Sequence, residues 1–236
     1  MIKAILFDLD GTLLPMDSVA FNKEYAKEMI KLMDRYDASF VAQNIYKCVE
    51  AMVNNNGEST NEVVFWNTLV SLYGKQILDD KVNLDNFYHH QFNNLKSTCS
   101  CNKLSNKMIK TLKEKGYIVV LATNPLFPSI ATEKRIEWAG LDKNDFFLYT
   151  TYENSCYSKP NLNYYKEILQ KINCDVSECL MIGNDVEDDM VVSRLGMDVF
   201  LLTDCLINLN NVDINLFRHG SMIELSNFIN DLPDNK

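Results

Sequence analysis

The sequence predicts an α/β protein: a doubly wound parallel sheet with an all-helical segment inserted after its first strand. Three observations predict it. Short apolar runs recur along the chain, several of them ending in polar residues. Segments with helical apolar spacing separate the later runs. Residues 16–99 carry helical stripes and no convincing strand. Strands that alternate with helices imply a parallel sheet covered on both faces.

The first run, Lys3 to Asp8 (KAILFD), reads as a buried strand whose C-terminal end turns polar. Later runs of the same kind are Tyr117–Thr123, Phe146–Thr150, Cys179–Gly183 and Val199–Leu202. Met108, Ile109 and Leu112 share a helical face, and Gly116 follows as a stop. Pro128 opens a helix holding Ile136 and Trp138, with Gly140 past its end. Leu162, Tyr165, Ile168, Leu169 and Ile172 mark another. Within the insert, one stripe is Ala26, Met29, Ile30 and Met33, and a second is Ile45, Val49, Met52 and Val53. Ser59 to Glu62 fits a capping box, followed by Val63, Trp66, Val70 and Tyr73. Phe87, Gln91, Phe92 and Leu95 suggest one more helix, and Asn54–Gly57 reads as a turn. The division expected is therefore a core of residues 1–15 and 100–236 and a helical cap of residues 16–99.

Composition narrows the function classes. The net charge is −9, and the lysines are scattered, with no basic patch interleaved with aromatics. A nucleic-acid partner is not expected, because phosphate backbones demand clustered positive charge. No stretch approaches the roughly 18 apolar residues of a membrane span, and the N-terminus lacks the features of a signal peptide. Seven irregularly spaced cysteines read as reduced thiols, so a cytoplasmic protein is expected. Adjacent His89 and His90 face different ways and make a poor metal pair. With His219 they read as structural or surface residues.

Four features fall at predicted strand ends or in the loops beyond, the edge where open α/β sheets bind ligands. Asp8 and Asp10 flank one apolar residue, so in an extended chain both carboxylates face one side, and Gly11 permits a sharp turn. Thr123 and Asn124 offer a hydroxyl, an amide and backbone N–H groups. Lys159 offers a cation. Gly183-Asn184-Asp185-Val186-Glu187-Asp188-Asp189 gathers four acids whose repulsion a cation would relieve. Taken singly, each has an ordinary explanation: a turn with a helix cap, a polar strand end, a solvated charge, an acidic helix N-terminus. Their joint occurrence, in this order and each at a strand end or in the loop beyond one, has no such ordinary explanation.

The set resembles the haloacid dehalogenase-like (HAD) hydrolase superfamily, whose first motif is DxDG[TV] and whose later motifs are a strand-end Thr or Ser, a Lys, and a strand followed by acids. FDLDGTLL is the most specific match, and the helical insert stands where that superfamily carries its first type of cap. GNDVEDDM resembles the acidic motif of the phosphoglycolate-phosphatase-like branch. The resemblance implies an Mg²⁺-dependent phosphatase acting on a small phosphorylated metabolite. Asp8 would be the nucleophile, Asp10 the general acid and base, Thr123 and Asn124 phosphate-binding groups, and Lys159 the charge stabiliser. Mg²⁺ would sit on Asp8, the Asp10 carbonyl and the acidic motif. Relatives often read Gly-Asp where this chain has Gly183-Asn184, so the direct ligand is either Asn184 or, with a one-residue shift, Asp185 with Asp189 a helical turn on; the latter pair is preferred. The resemblance also implies that the insert closes over the site and sets specificity. Phe127 and Tyr152 either border the substrate or pack.

Asp10 argues against a true dehalogenase, which lacks an acid at that position. A phosphomutase of the same superfamily stays open. A receiver domain uses similar residues with the acidic cluster leading, whereas here the Asp pair leads. A catalytically silent binding protein is the remaining alternative, kept open by the Asn184 departure.

Overall fold

The computed structural model describes residues 1–34 and 36–235. Six strands, β1 (Ala4–Phe7), β2 (Ile118–Leu121), β3 (Leu148–Tyr149), β4 (Cys179–Gly183), β5 (Asp198–Leu202) and β6 (Arg218–Gly220), form one sheet in the order β3-β2-β1-β4-β5-β6. All pairings are parallel. Five strands match the apolar runs; β6 was not anticipated. β1 lies at the centre, fully buried, with Phe7 opposite Leu121 on one side and Ile182 on the other. The strand order changes direction at β1, so β2 and β4 diverge there and leave a crevice beyond its C-terminal end.

The insert contributes α1 (Ser18–Leu32), α2 (Ala38–Val53), α3 (Asn61–Tyr73), α4 (Lys81–His89) and short 3₁₀ segments. The helix expected through Phe87 and Leu95 is interrupted: α4 ends at His89, and Gln91–Thr98 continues as a 3₁₀ helix. The break lets Phe92 stack on Trp138, with ring centres 5.2 Å apart. The cap of α3 is Thr60 rather than Ser59, with Val63 N–H donating to its hydroxyl at 3.5 Å. Asp17 and Asp37 cap α1 and α2 through their side chains.

Three helices of the sheet flanks follow the sequence spacing: α5 (Lys103–Glu114), α6 (Ser129–Trp138) and α7 (Leu162–Ile172). Pro128 precedes α6 as its cap residue, and Ser129 N–H donates to the Glu153 carboxylate. α8 (Met222–Asp231) opens on a Ser221–Glu224 capping box.

The chain leaves and re-enters the sheet region side by side. Met16 and Cys99 form an antiparallel bridge, Asp17 N–H donates to Thr98 O at 3.0 Å, and Ser100 N–H donates to Pro15 O at 2.9 Å. Beyond this crossing the insert lies against the sheet edge. Phe21, Phe87, Phe92 and Leu95 join the same apolar core as Phe7, Ile136 and Trp138. Burial of such side chains contributes about 1.5–3 kcal/mol each, enough to hold the helices over the C-terminal ends of β1 and β2. The described cysteines are all free thiols. No described helix is long and apolar enough to cross a membrane.

Candidate active site

Asp8 extends β1 by one residue, its N–H donating to Ile182 O at 2.9 Å. This places its carboxylate in the crevice between β2 and β4. Lys159 Nζ donates to Asp8 Oδ1 at 2.8 Å and to Asp189 Oδ1 at 2.6 Å. The lysine is only 2% exposed, so it is no solvated surface charge. Burial works against its ammonium, but Asp189 and Asp8 overcome that penalty and hold its pKa well above the usual lysine range. Burial raises the Asp189 carboxyl, with Lys159 opposing the rise. Asp189 Oδ2 accepts from Asp185 N–H at 3.0 Å, and a side chain at Gly183 would collide with that carboxylate.

The acidic segment is a series of turns followed by a 3₁₀ helix, Met190–Leu195, so the spacing expected of an α-helix does not apply to it. Asp185 Oδ1 accepts from the N–H groups of Glu187 and Asp188, at 2.8 and 2.9 Å, and holds the turn. Asn184 Nδ2 donates to Cys205 O at 2.8 Å, which fixes the orientation of the amide. Its Oδ1 then accepts from the Thr12 hydroxyl at 2.8 Å, and that hydroxyl lies 3.4 Å from Asp8 Oδ2. Asn184 rather than Asp185 is thereby linked to Asp8. Gly11 has φ +85° and lies directly against the Asn184 amide, which leaves no room for a side chain.

Asp10 lies beside Asp8, but one of its oxygens, Oδ2, pairs with the guanidinium of Arg135. Arg135 is buried within α6 and also donates to Ala131 O and Thr132 Oγ1. The other oxygen, Asp10 Oδ1, is buried without a partner. Burial raises the Asp10 pKa; Arg135 opposes the rise and the charge of Asp8 adds to it. Thr123 is buried past the end of β2, its carbonyl accepting from Thr150 Oγ1 and Tyr164 OH. Asn124 Nδ2 donates to Asp188 Oδ2 at 3.3 Å, while its Oδ1 is buried and unpaired. Burial pushes the Asp188 carboxyl up to about 6, with Lys159 opposing and Asp185 and Asp8 reinforcing.

Thr12 and Asp188 fall within two of the features read from the sequence, with no role assigned to either, and Arg135 lies outside all four. Arg135 left a readable signal, since it interrupts the otherwise uncharged buried stripe Ala131, Thr132, Ile136 and Ala139.

A divalent cation fits this edge. Lys159 occupies Asp8 Oδ1 but leaves Oδ2 with only the long Thr12 contact. The Asn184 amide oxygen and the Asp188 carboxylate add hard oxygen donors of the kind Mg²⁺ takes. Among the described residues no three His, Cys, Asp or Glu side chains form a cage by themselves. Mg²⁺ does not require one, since it commonly uses one or two carboxylates and keeps several waters.

A doubly wound parallel sheet with a lysine-locked aspartate at its switch point is the build of an α/β enzyme. The chain belongs to the haloacid dehalogenase-like hydrolase family, whose model matches residues 2–192. Relatives similar to it are named as phosphatases. A glyceraldehyde 3-phosphate phosphatase of Methanothermobacter thermautotrophicus is 22% identical over 205 residues, covering 86% of each chain. The fold is shared with a HAD phosphatase from Thermococcus onnurineus (TM-score 0.59, 14% identity, 97% of this chain and 98% of that one). It is shared also with a magnesium-bound HAD hydrolase from Bacillus subtilis (TM-score 0.56, 16% identity, 97% and 99%).

Proposed function

We propose that the chain is an Mg²⁺-dependent phosphatase that hydrolyses a small phosphate monoester through an aspartyl-phosphate on Asp8. The observation that carries the reading is the buried Lys159 donating to Asp8 Oδ1, which sets a counter-charge beside that carboxylate and holds it aimed at the crevice beyond β1. An Mg²⁺ ion would be held by Asp8, the Asp10 carbonyl and Asn184, with Asp188 alongside, and would neutralise phosphoryl charge when bound.

In the first step an Asp8 oxygen bonds to phosphorus while the bond from phosphorus to the ester oxygen breaks, and the electron pair leaves with that oxygen. Asp10 supplies the proton that the leaving oxygen takes up. Its raised pKa favours a protonated acid, and Oδ1, free of Arg135, is the oxygen to carry the proton. Lys159 stabilises the charge shared by Asp8 and the phosphoryl group, while Thr123 and Asn124 contact the phosphoryl oxygens. In the second step Asp10, now ionised, takes a proton from water as that water attacks phosphorus. The bond from phosphorus to Asp8 breaks and the carboxylate is restored. Asp189 keeps Lys159 in place, and Asp185 shapes the turn that presents Asn184 and Asp188.

We also propose that residues 16–99 act as a cap that walls the site and limits water. The test is phosphate release from a panel of monoesters by wild type and Asp8→Asn, with Mg²⁺ and with EDTA. Metal-dependent turnover by wild type alone is expected. Equal turnover by the variant, or turnover indifferent to EDTA, contradicts the reading.

A further inference from the structure

A second cavity, of about 480 Å³, lies between the insert and the sheet edge. Its size falls within the range of about 300–1,000 Å³ typical of small-ligand sites. Its floor is made by loops at the ligand-binding edge of the sheet. Phe127 comes three residues after Asn124, Tyr152 follows β3, and Tyr152 N–H donates to Phe127 O at 3.0 Å. Its walls come from α1, α2, α3 and α4, through Tyr25, Val49, Phe65 and Tyr88 among others. Phe127 connects the cavity to the reacting groups: its ring centre lies 4.6 Å from the Arg135 guanidinium, which is paired with Asp10.

The chemistry of this wall is selective. Among the described residues none of the side chains lining it carries a charge. Arg135, which lies against the Phe127 ring, is already committed to Asp10. Tyr25 and Tyr88 face each other across 2.9 Å, hydroxyl to hydroxyl. One hydroxyl donates to the other, so the pair keeps one O–H for a further acceptor. A carboxylate or second phosphate placed here would lose its hydration with no counter-charge to replace it. An apolar ring with a single hydroxyl or carbonyl would lose nothing comparable and would bury apolar surface.

We propose that this cavity receives the leaving group of the substrate, and that the group is uncharged and largely apolar, of the size of a ring alcohol. The proposal rests on the phosphatase reading for its chemistry but not for its binding. Phosphoglycolate-like acids and sugar bisphosphates are accordingly poor substrates.

The test compares cyclohexylmethyl phosphate with phosphoglycolate, whose ester oxygens are both primary alkoxides, and uses acetyl phosphate as a minimal substrate. Wild type and Val49→Trp, which fills the cavity from α2, are assayed on all three. Binding of cyclohexylmethylphosphonate and phosphonoacetate to both proteins is measured by calorimetry. Wild type is expected to favour the cyclohexylmethyl compounds by at least about tenfold in kcat/KM and in affinity, the scale of a hydrophobic pocket contact. Val49→Trp is expected to remove that preference while leaving acetyl phosphate turnover within about twofold. Preference for phosphoglycolate and phosphonoacetate, or a preference that Val49→Trp leaves intact, overturns the proposal. Selective, Val49-dependent phosphonate binding without any turnover would uphold the cavity assignment and refute the phosphatase reading instead.

Discussion

Replacing Asn61 with alanine should loosen the site without touching a reacting group. Asn61 is fully buried at the start of α3. Its Nδ2 donates to Pro125 O and to Ser158 Oγ, each at 3.0 Å, and its Oδ1 accepts from Asn55 Nδ2 at 2.8 Å. Pro125 adjoins Asn124, and Ser158 adjoins Lys159, so one amide ties the insert to both arms of the candidate phosphate site. Truncation strands the Pro125 carbonyl. Ser158 keeps its bond to Met52 O, and Asn55 keeps its bond to Ser59 O. One stranded buried acceptor and two weakened partners cost about 3 kcal/mol, taking about 1–3 kcal/mol for an unsatisfied group. In a chain of this length that lowers Tm by about 6–12 °C. Displaced arms should lower kcat by about tenfold to a hundredfold. Asn61→Asp separates hydrogen bonding from volume. It keeps the shape and the acceptor for Asn55, yet turns an oxygen onto Pro125 O, so it should be at least as damaging at neutral pH. Thermal unfolding by calorimetry and steady-state kinetics below the transition check both variants. An Asn61→Asp protein with wild-type Tm and kcat would refute the reasoning.

Lys159→Met leaves Asp8 and Asp189 buried without their counter-ion. It should destabilise by about 3–5 kcal/mol near neutral pH, lessened in acid where Asp189 takes up a proton, and abolish turnover; denaturant titration at two pH values reads the difference. Asn184→Ala should weaken Mg²⁺ binding by about tenfold or more, measured by calorimetry on the folded protein. The Asp188 carboxyl, raised by burial to about 6, gives a pH window. Between its unfolded value near 4 and about 6, the folded chain binds more protons than the unfolded chain. Stability of the metal-free protein therefore contains a contribution that declines as pH rises through that window. Mg²⁺ affinity should move the other way, falling by about tenfold per pH unit below 6 if Asp188 must ionise; a flat profile from pH 5 to 7 would remove Asp188 from the metal site.

Much of the sheet was legible because buried parallel strands are nearly continuous apolar runs. That rule located β1, β2 and β4, and with them the strand-end positions of Asp8, Thr123 and Asn184. It failed for β6, whose Arg218-His219-Gly220 has no such run and pairs only at the sheet edge. The acidic segment was hard to place because its spacing was read as helical. The turns between Gly183 and Met190 instead send Asp185 into its own backbone and bring Asp188 to Asn124. Arg135 and Asn61 act across long sequence separations, at Asp10 and Pro125, where no local pattern could reveal their partners. The shift from Ser59 to Thr60 as the α3 cap reflects two adjacent hydroxyl residues competing for one position.

The most direct test is to quench the enzyme during turnover of a competent phosphate ester and reduce it with borohydride, which converts an acyl phosphate to an alcohol. Peptide mass spectrometry should then find homoserine at position 8, only in samples containing both substrate and Mg²⁺. Homoserine at another carboxylate, or an unmodified Asp8 under burst conditions, would contradict the assignment of Asp8 as the nucleophile.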